Sequence, residues 1–359
     1  MKKPLTFLAI GLLSISSAVA NTWYAEPLVV GLNVPWGISY LGDNKVIVSE
    51  KNGTIGVLDL TNNHYQDIGK VPDVRVSGQG GLLDVAVSPK DPTQIYITYS
   101  KSVGKSIETT LAKAVYQKGQ LSKWQDMLVT RSGSDGGRHF GSRIAFDADH
   151  LYMSVGDRGE RDNGQDLTTH AGSILKLQLN GGAAQDNPFI AEEGKLDEIW
   201  SYGHRNPQGL FFDSKKNSLW AIEHGPRGGD EVNLIEKGAN YGWPVTSHGK
   251  EYWGPIAVGE STEKEGISSP KKVYIPSIAP SSLILYRGDM YPELSGKLLA
   301  GALKLTHINV LTVKDGEIIG ETRILEELGE RIRDIEALPN GELIFSTDSG
   351  KIYRLVKES

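Results

Sequence analysis

The sequence contains no cysteine among its 359 residues. A disulfide framework, a thiolate nucleophile and a cysteine zinc site are therefore excluded. No apolar run is long enough to span a bilayer, since the stretch Leu5–Leu13 falls well short of about 20 residues. Stability must come from burial of a core, from closure of the fold and from any bound metal.

The sequence has no excess of basic residues, and its formal net charge is −6. Residues 1–20 have a basic start at Lys2 and Lys3, the apolar stretch Leu5–Leu13, and small residues ending at Ala20. This pattern predicts a secretory signal cleaved after Ala20, with an uncleaved membrane anchor as the alternative. Cleavage changes the net charge from −6 to −8, which argues against a nucleic-acid partner.

Motifs of several catalytic classes are also missing. The segment Gly133–Gly137 (GSDGG) lacks the strand–turn–helix setting that binds a dinucleotide, and there is no G-x-S-x-G nucleophile elbow. His224 has no second histidine at the spacing of an H-E-x-x-H zinc site. Redox chemistry would therefore need a bound cofactor other than a nicotinamide.

Long helical periodicity is scarce, whereas short β-type runs separated by turn residues are frequent. A loose unit of such runs recurs at Trp36–Leu60, Gly80–Ser100 with Leu111–Leu128, Gly141–Leu179, Pro207–Leu234, Ser281–Val313 and Arg331–Leu355. The six copies predict an all-β fold over residues 21–359, a single six-bladed β-propeller with four-stranded antiparallel blades. A pair of β-sandwiches or a β-helix is the alternative, but a β-helix has a shorter and stricter period.

Three further segments are assigned within this propeller. Tyr24–Val30 precedes the first copy and is predicted to complete the last blade. Asp157–Thr169 and Trp243–Pro276 are extra to the repeat, so we expect loops on one face, where functional residues usually lie.

The connecting segments are rich in Gly, Pro, Asn and Arg. They read GQGGLLDV (78–85), GRHFGSR (137–143), SYGHRNPQGL (201–210), IEHGPRGGDEVN (222–233), ANYGWP (239–244), GALK (301–304) and RIRD (331–334). In this order they resemble the soluble quinoprotein glucose and aldose sugar dehydrogenases over nearly the whole of residues 21–359. The resemblance is strongest from Gly203 to Pro244, and the compact chain is most similar to the bacterial aldose sugar dehydrogenase branch.

The resemblance implies oxidation of an aldose sugar at C1 to the lactone, with hydride transfer to pyrroloquinoline quinone (PQQ) and electrons passed to an external acceptor. It implies two Ca²⁺ ions, one at the PQQ site and one structural. With the predicted signal, it implies a periplasmic or secreted bacterial protein, monomeric or homodimeric, with no stable membrane insertion.

His139 is the candidate general base, because imidazole can gain and lose a proton near neutral pH. The resemblance implies that Asp157 orients it and that Arg205 stabilises negative charge on the quinone. A lone histidine is more often structural, so the RHFG context carries this assignment.

The resemblance also implies a set of cofactor contacts. These are Gln79, Arg205, Asn206, Tyr252, Lys304, Arg331 and Arg333. Arg331 and Arg333 are two residues apart, so on a strand both point to one face, which suits binding of a tricarboxylate. The alternative is a surface pair bound to a nearby acid such as Asp334.

The metal assignments rest on oxygen ligands, which Ca²⁺ prefers. The resemblance implies that the carbonyls of Gly225 and Pro226 bind the calcium at the quinone. It implies that Glu231 and the carbonyl of Tyr241 bind the structural calcium. The alternative for the GGDEVN segment is a tight turn with solvated acids. Trp243 is interpreted as a packing residue.

Two other functions fit a propeller. A calcium-dependent lactonase needs acid and Asn ligands converging on one metal but not the cationic cluster of Lys304, Arg331 and Arg333. A non-catalytic binding propeller would be expected to lack His139 or that cluster, and the sequence retains both.

Overall fold

The computed structural model describes residues 23–358, in which the strands form six four-stranded antiparallel sheets. β1 is Trp23–Val30. Blade one contains β2 (Pro35–Gly42), β3 (Lys45–Glu50), β4 (Thr54–Asp59) and β5 (His64–Lys70). Blade two contains β6 (Leu82–Val87), β7 (Gln94–Val103), β8 (Ser106–Gln117) and β9 (Gln120–Val129). Blade three contains β10 (Ile144–Phe146), β11 (His150–Val155), β12 (Ser173–Gln178) and β13 (Ile199–Tyr202).

The second half of the ring follows the same plan. Blade four contains β14 (Pro207–Asp213), β15 (Ser218–Glu223), β16 (Asp230–Ile235) and β17 (Lys272–Tyr274). Blade five contains β18 (Pro280–Leu285), β19 (Lys297–Ala302), β20 (Ile308–Lys314) and β21 (Glu317–Ile324). Blade six contains β22 (Ile332–Ala337), β23 (Leu343–Thr347), β24 (Lys351–Lys357) and β1. Short 3₁₀ helices lie at Arg161–Gln165 and Glu326–Leu328. The predicted six-bladed propeller is confirmed.

The ring is closed by strands from the two ends of the chain. β1 pairs antiparallel with β24, from Trp23 opposite Lys357 to Val30 opposite Lys351. The prediction that Tyr24–Val30 completes the last blade is therefore confirmed. Closure leaves each blade packed between two neighbours, so the ring has no open face at which another sheet could add.

Burial falls from the inner strands to the outer strands of each blade. In β3, every residue after Lys45 is buried, because the neighbouring blades cover both faces of the sheet. In β5, the outermost strand of the same blade, no residue is fully buried. The apolar cores accordingly lie between adjacent blades, as in the cluster that joins Ile47 of blade one to Leu82 and Ile97 of blade two.

The two extra segments differ from the prediction in one respect. Asp157–Thr169 lies in the connection between β11 and β12 and includes a 3₁₀ helix. Trp243–Pro276 is only partly a loop, because its last part forms β17, the outermost strand of blade four. The prediction missed this strand because its three residues are too short to show an alternating pattern.

The predicted signal, residues 1–20, lies outside the described residues. Within residues 23–358, no helix has the length and apolar content that crossing a membrane requires.

A buried ion cluster at the centre of the ring joins three blades. Nη1 of Arg143 lies 2.9 Å from Oδ1 of Asp84 and 3.0 Å from Oδ1 of Asp334. Arg143 directly precedes β10, Asp84 lies in β6 and Asp334 lies in β22. We refer to these three residues as the Arg143 cluster.

The same guanidinium reaches the remaining blades. Nε donates a hydrogen bond to the carbonyl of Gln208 in β14 at 3.0 Å, and Nη2 donates to the carbonyl of Ser281 in β18 at 3.0 Å. The guanidinium carbon lies 4.4 Å from the ring centroid of Trp36 in β2, a cation–π contact. Arg143 thus contacts the innermost strand of each of the five remaining blades.

Electrostatics make this cluster intolerant of change. Burial raises the pKa of Asp84 and of Asp334, and the Arg143 guanidinium opposes that rise. Burial alone would lower the pKa of Arg143, but the two carboxylates raise it above its usual value. The cation is therefore permanent, and its loss would leave two carboxyl groups buried without compensation.

We predict that Arg143→Met destabilises the protein by about 3–5 kcal/mol, the usual cost of removing one partner from a buried ion pair. The shift in the urea unfolding midpoint measures it. Lys90→Met is the matched control, because the Lys90–Asp149 pair has exposed side chains and its loss should leave the midpoint unchanged. Equal midpoints for wild type and Arg143→Met would contradict the assignment of this cluster as the central tie.

Candidate active site

The candidate site lies at one end of the propeller channel. In an antiparallel four-stranded blade, the segment entering the first strand and the turn between the second and third strands lie at the same end. Gln79, His139 and Arg205 lie in segments that enter β6, β10 and β14, and Asp157 lies between β11 and β12. The fold therefore brings residues that are distant in sequence to one end of the ring.

His139 and Asp157 form a hydrogen-bonded pair. Nδ1 of His139 lies 2.6 Å from Oδ1 of Asp157. The backbone of His139 has a left-handed φ of 55°, and its N–H donates to Oε1 of Gln79 at 2.8 Å. Gly156 packs so closely on the carbonyl of His139 that a Cβ there would collide with it. The imidazole is thus fixed through Nδ1, while Nε2 makes no hydrogen bond to any residue in 23–358.

Asp157 is almost fully buried, with 1% of its surface exposed, yet it is well supplied with donors. The N–H of Gly159 donates to Oδ1 at 2.7 Å, and Nε1 of Trp243 donates to Oδ2 at 2.8 Å. Burial would raise the pKa of Asp157, but the hydrogen bonds from His139 and Gly159 outweigh it and lower the pKa below its usual value. Asp157 is therefore an anion at neutral pH.

The pKa of His139 is lowered from its usual value. The main cause is burial, and the positive charges of Arg205 and Arg138 add to it. The Asp157 carboxylate acts in the opposite direction but does not reverse the shift. His139 is consequently neutral at pH 7, with Nδ1 carrying the proton and Nε2 free to accept one, as a general base requires.

A buried arginine supports the loop that carries His139. Nη2 of Arg158 donates to the carbonyl of Gly136 at 2.6 Å and to that of Ile107 at 3.0 Å, and Nη1 donates to the carbonyl of Arg138. The guanidinium also lies 3.4 Å from the ring centroid of Phe140. Burial lowers its pKa to about 10, so it stays charged at neutral pH.

Arg205 and Asn206 link the pair to blade four. Nη1 of Arg205 donates to the carbonyl of Gly225 at 2.7 Å, while its Nε is buried without a partner among residues 23–358. Oδ1 of Asn206 accepts hydrogen bonds from the N–H of Gly141 and from Nε2 of Gln208, each at 3.2 Å. Both side chains are more than 90% buried.

A cavity of about 280 Å³ opens beside these residues. Its walls include Gln79, Asn206, Arg331 and Arg333, with Phe140 and Gly141 from the segment that carries His139. Four of the predicted cofactor contacts, Gln79, Asn206, Arg331 and Arg333, therefore line one cavity.

Arg331 and Arg333 converge on one carboxylate, which is Asp348 and not Asp334. Nε of Arg331 lies 2.8 Å from Oδ2 of Asp348, and Nε of Arg333 lies 2.8 Å from its Oδ1. Asp334 is held by Arg143 in the channel instead. Lys51 adds a third cation to the cavity wall, so this wall carries net positive charge.

The four predicted metal residues line one small cleft. Gly225, Pro226, Glu231 and Tyr241 enclose a void of about 10 Å³, roughly the space of a single water or ion. Burial and the nearby Glu223 carboxylate raise the pKa of Glu231 to about 8. Within residues 23–358, no three acidic or histidine side chains cluster as a metal site, so backbone oxygens would have to complete one.

Three of the predicted cofactor contacts, Arg205, Lys304 and Tyr252, do not line the cavity. Arg205 lines the neighbouring cleft with Gly225 instead. Lys304 is exposed, although the adjacent Leu303 lines the cavity. Tyr252 is 66% exposed on a loop that Glu251 fixes by a two-pronged ion pair with Arg161, at 2.7 and 2.8 Å. Their roles in cofactor binding remain predictions.

Sequence reasoning missed three residues of the candidate site and interpreted a fourth as packing: Arg158, Lys51 and Asp348, and Trp243. Arg158 is adjacent to Asp157 in SVGDRG, but the sequence pattern does not indicate that its side chain is buried. Lys51 and Asp348 lie in blades one and six, outside the dense motifs. The signal for Trp243 was the NYGWP segment itself, which was interpreted as packing.

The arrangement defines a class of protein: a six-bladed propeller with a buried His–Asp pair beside a cation-lined cavity. A family model described as Glucose / Sorbosone dehydrogenase matches residues 32–354, and the chain belongs to this family. Aldose sugar dehydrogenase YliI of Escherichia coli K12 is 35% identical over 369 residues, covering 98% of each chain.

Solved structures agree with this assignment. The apo-form of the soluble aldose sugar dehydrogenase of E. coli has a TM-score of 0.90 at 33% identity, over 93% of this chain and 99% of that chain. The PQQ-bound aldose sugar dehydrogenase of Streptomyces coelicolor has a TM-score of 0.79 at 26% identity, over 94% and 99%. The resemblance predicted from the motifs is confirmed.

We predict that the His139 imidazole titrates below its usual pKa of 6.5, because burial and Arg205 disfavour the cation. NMR of ¹³C-histidine-labelled protein across pH would show this, with His139→Gln identifying the resonance. Asp157→Asn should lower the pKa of His139 further, since it removes the one charge that favours protonation. A pKa for His139 above 6.5 in wild type would contradict the electrostatics described for the site.

Proposed function

We propose that the protein oxidises aldose sugars at C1 to the lactone, with PQQ as the hydride acceptor and an external acceptor for the electrons. The observation that carries this proposal is the hydrogen-bonded His139–Asp157 pair beside a cavity whose wall includes Arg331 and Arg333. The PQQ-bound relative supports the choice of cofactor. We further propose export after removal of residues 1–20, and activity as a monomer or homodimer.

The cavity residues fit a planar tricarboxylate. Arg331 and Arg333 would bind carboxylates through the guanidinium N–H groups that their bonds to Asp348 leave free. Asn206 and Gln79 would donate or accept at the ring edge, and the orphaned Nε of Arg205 has a donor to offer. When bound, PQQ would supply the two-electron acceptor and calcium a Lewis acid beside it.

His139 would perform the proton transfer. Its free Nε2 would accept the proton of the sugar's anomeric hydroxyl as the C1 hydride leaves. Asp157 would hold the ring in the Nδ1–H tautomer and stabilise the imidazolium that forms. Arg205 would supply a fixed positive charge close to the base. This division of roles requires that His139 be neutral before turnover, which is the state that its lowered pKa favours.

Calcium fits the cleft between blade four and its neighbouring loop. Gly225 and Pro226 offer carbonyl oxygens, although the carbonyl of Gly225 also accepts a hydrogen bond from Arg205. Glu231 is a buried carboxyl group, and burial and the Glu223 carboxylate raise its pKa. The void in this cleft has space for one ion, and we propose that Glu231 and the carbonyl of Tyr241 bind it as the structural ion, whereas Gly225 and Pro226 serve the ion at the cofactor outside this void.

The alternatives receive less support. A propeller lactonase needs several acidic and Asn ligands around one metal, and residues 23–358 contain no group of three acidic or histidine side chains so placed. A binding propeller would have no use for the fixed tautomer of His139 or for its open Nε2.

The decisive experiment mixes purified protein with PQQ and Ca²⁺ and measures aldose-dependent reduction of an artificial dye. We expect activity only when both are present. His139→Gln should lower kcat by about 10²–10⁴-fold, the usual contribution of a general base, without lowering the melting temperature. His150→Gln is the matched control, because His150 also pairs with an aspartate but lies in β11 away from the cavity. Retained turnover in His139→Gln would remove it from the mechanism.

We predict that Arg331→Ala and Arg333→Ala weaken PQQ binding more than they slow turnover at saturating PQQ. Loss of a charge-assisted hydrogen bond costs about 1.5–3 kcal/mol, which should be visible in a fluorescence titration of the cofactor. Arg323→Ala provides the control, since Arg323 is a surface residue paired with Glu321 and Glu326. Unchanged affinity in both cavity variants would place the carboxylate contacts elsewhere.

A further inference from the structure

We propose that Trp243 is a positioning residue for the His139–Asp157 pair, acting through its indole N–H. The proposal rests on the proposed function for its catalytic meaning, but its physical content concerns this chain alone. The two carboxylate oxygens of Asp157 accept hydrogen bonds from different donors. Oδ1 accepts from His139 and Gly159, whereas Oδ2 accepts from Nε1 of Trp243 at 2.8 Å, its one donor among residues 23–358.

Two cations contact the Trp243 ring. The guanidinium carbon of Arg205 lies 5.2 Å from its ring centroid, and that of Arg161 lies 5.7 Å away. Such cation–π contacts orient a ring as well as attract it. Arg161 is itself fixed by the two-pronged ion pair with Glu251, so the indole cannot turn its N–H away from Asp157 without breaking these contacts.

The main chain of Trp243 is equally constrained. Its N–H donates to the carbonyl of Gly203 at 2.9 Å, and its carbonyl accepts from Nε2 of Gln165 at 2.7 Å. Gly164 packs against that carbonyl with no room for a Cβ. Trp243 is 5% exposed, so water cannot replace its N–H at Oδ2. The donor therefore belongs to a rigid assembly that joins blades three and four.

Two consequences follow for His139. A donor on each oxygen fixes the plane of the carboxylate, and hence the direction in which Nδ1 of His139 must point. The donor on Oδ2 also draws negative charge away from Oδ1, which makes Asp157 a weaker attractor of a proton on the imidazole. Trp243 thus helps to keep His139 neutral, in the same direction as burial and Arg205.

Trp243→Phe tests this inference, because it keeps an aromatic ring close to Arg161 and Arg205 but removes the N–H. The charged groups that face the pair, namely Arg138, Arg158, Arg161 and Arg205, all remain. NMR of the purified full chain should show the titration of His139 moving to higher pH, whereas Asp157→Asn moves it to lower pH. The opposite signs separate loss of the donor from loss of the carboxylate.

The pH dependence of the kinetics should shift in the same direction as the titration of His139. The acid limb of the kcat/KM profile should move to higher pH in Trp243→Phe, and kcat at the optimum should fall by about tenfold, as for other partners that orient a functional histidine. KM should change less than kcat, because the indole does not line the 280 Å³ cavity beside the candidate site. Trp220→Phe is the matched control, since Trp220 is also buried but lies in β15 away from the pair.

A packing role for Trp243 gives a different result. It would lower the melting temperature of Trp243→Phe and leave both the His139 titration and the pH profile unchanged, and that outcome would overturn the inference. If Trp243→Phe fails to fold, ¹⁵N-tryptophan labelling of wild type decides. The indole proton of Trp243 should exchange slowly and shift in Asp157→Asn, whereas exchange as fast as that of Trp253, which is 74% exposed, would also overturn it.

The two proposals can fail separately. Absence of aldose-dependent dye reduction in the wild-type protein would refute the proposed function, yet the NMR titrations would still report whether Trp243 controls the pair. Conversely, an active wild type whose Trp243→Phe variant keeps the same pH profile would refute the positioning role alone.

Discussion

The structure depends on a single cation at the centre of the ring. A propeller has no layer that crosses its axis, so the innermost strands must be held together by side chains that reach into the channel. Arg143 does this with one guanidinium, which binds Asp84 and Asp334, two backbone carbonyls and the face of Trp36. Because a buried charge without partners is so costly, the blades can take only relative positions that keep these contacts satisfied. Apolar packing between blades supplies most of the stability, whereas this cluster supplies the register.

The candidate site uses that register. His139, Asp157 and Arg205 lie in different interstrand segments, and their distances are fixed only if blades three and four keep their relative position. Arg143 directly precedes β10, a few residues after His139, and its Nε is bound to the carbonyl of Gln208, shortly after Arg205. The same strand entries therefore carry the central cluster and the site. A second buried arginine, Arg158, then shapes the loop of His139 by binding its carbonyl groups. Two arginines serve the geometry of the base without contacting it.

Sequence reasoning reached the fold because the propeller repeats, and six copies of one strand pattern predict it even where single strands are weak. It also predicted the closing strand, since Tyr24–Val30 is a strand-like segment that lies before the first copy. For the site, the motifs contained both members of the hydrogen-bonded His139–Asp157 pair, and they contained Arg331 and Arg333 on the cavity wall. Sequence reasoning could not predict contacts between side chains from different blades, because these depend on how the chain folds in three dimensions. Asp348 as the partner of Arg331 and Arg333, and the donation from Trp243 to Asp157, depend on where distant loops meet. The strand β17 was missed because three residues carry no measurable period.

The pairing of β1 with β24 has a bearing on how the protein is made. β1 is the first strand of the described chain to be synthesised, and its partner β24 is the last. Blade six cannot be completed, and the ring cannot close, until the final strand is available, whereas blades one to five consist of neighbouring segments that can pair as they emerge. A pairing between the two ends of a chain is the slowest kind of contact to form. The nascent protein therefore remains an open arc until its last strand has been synthesised.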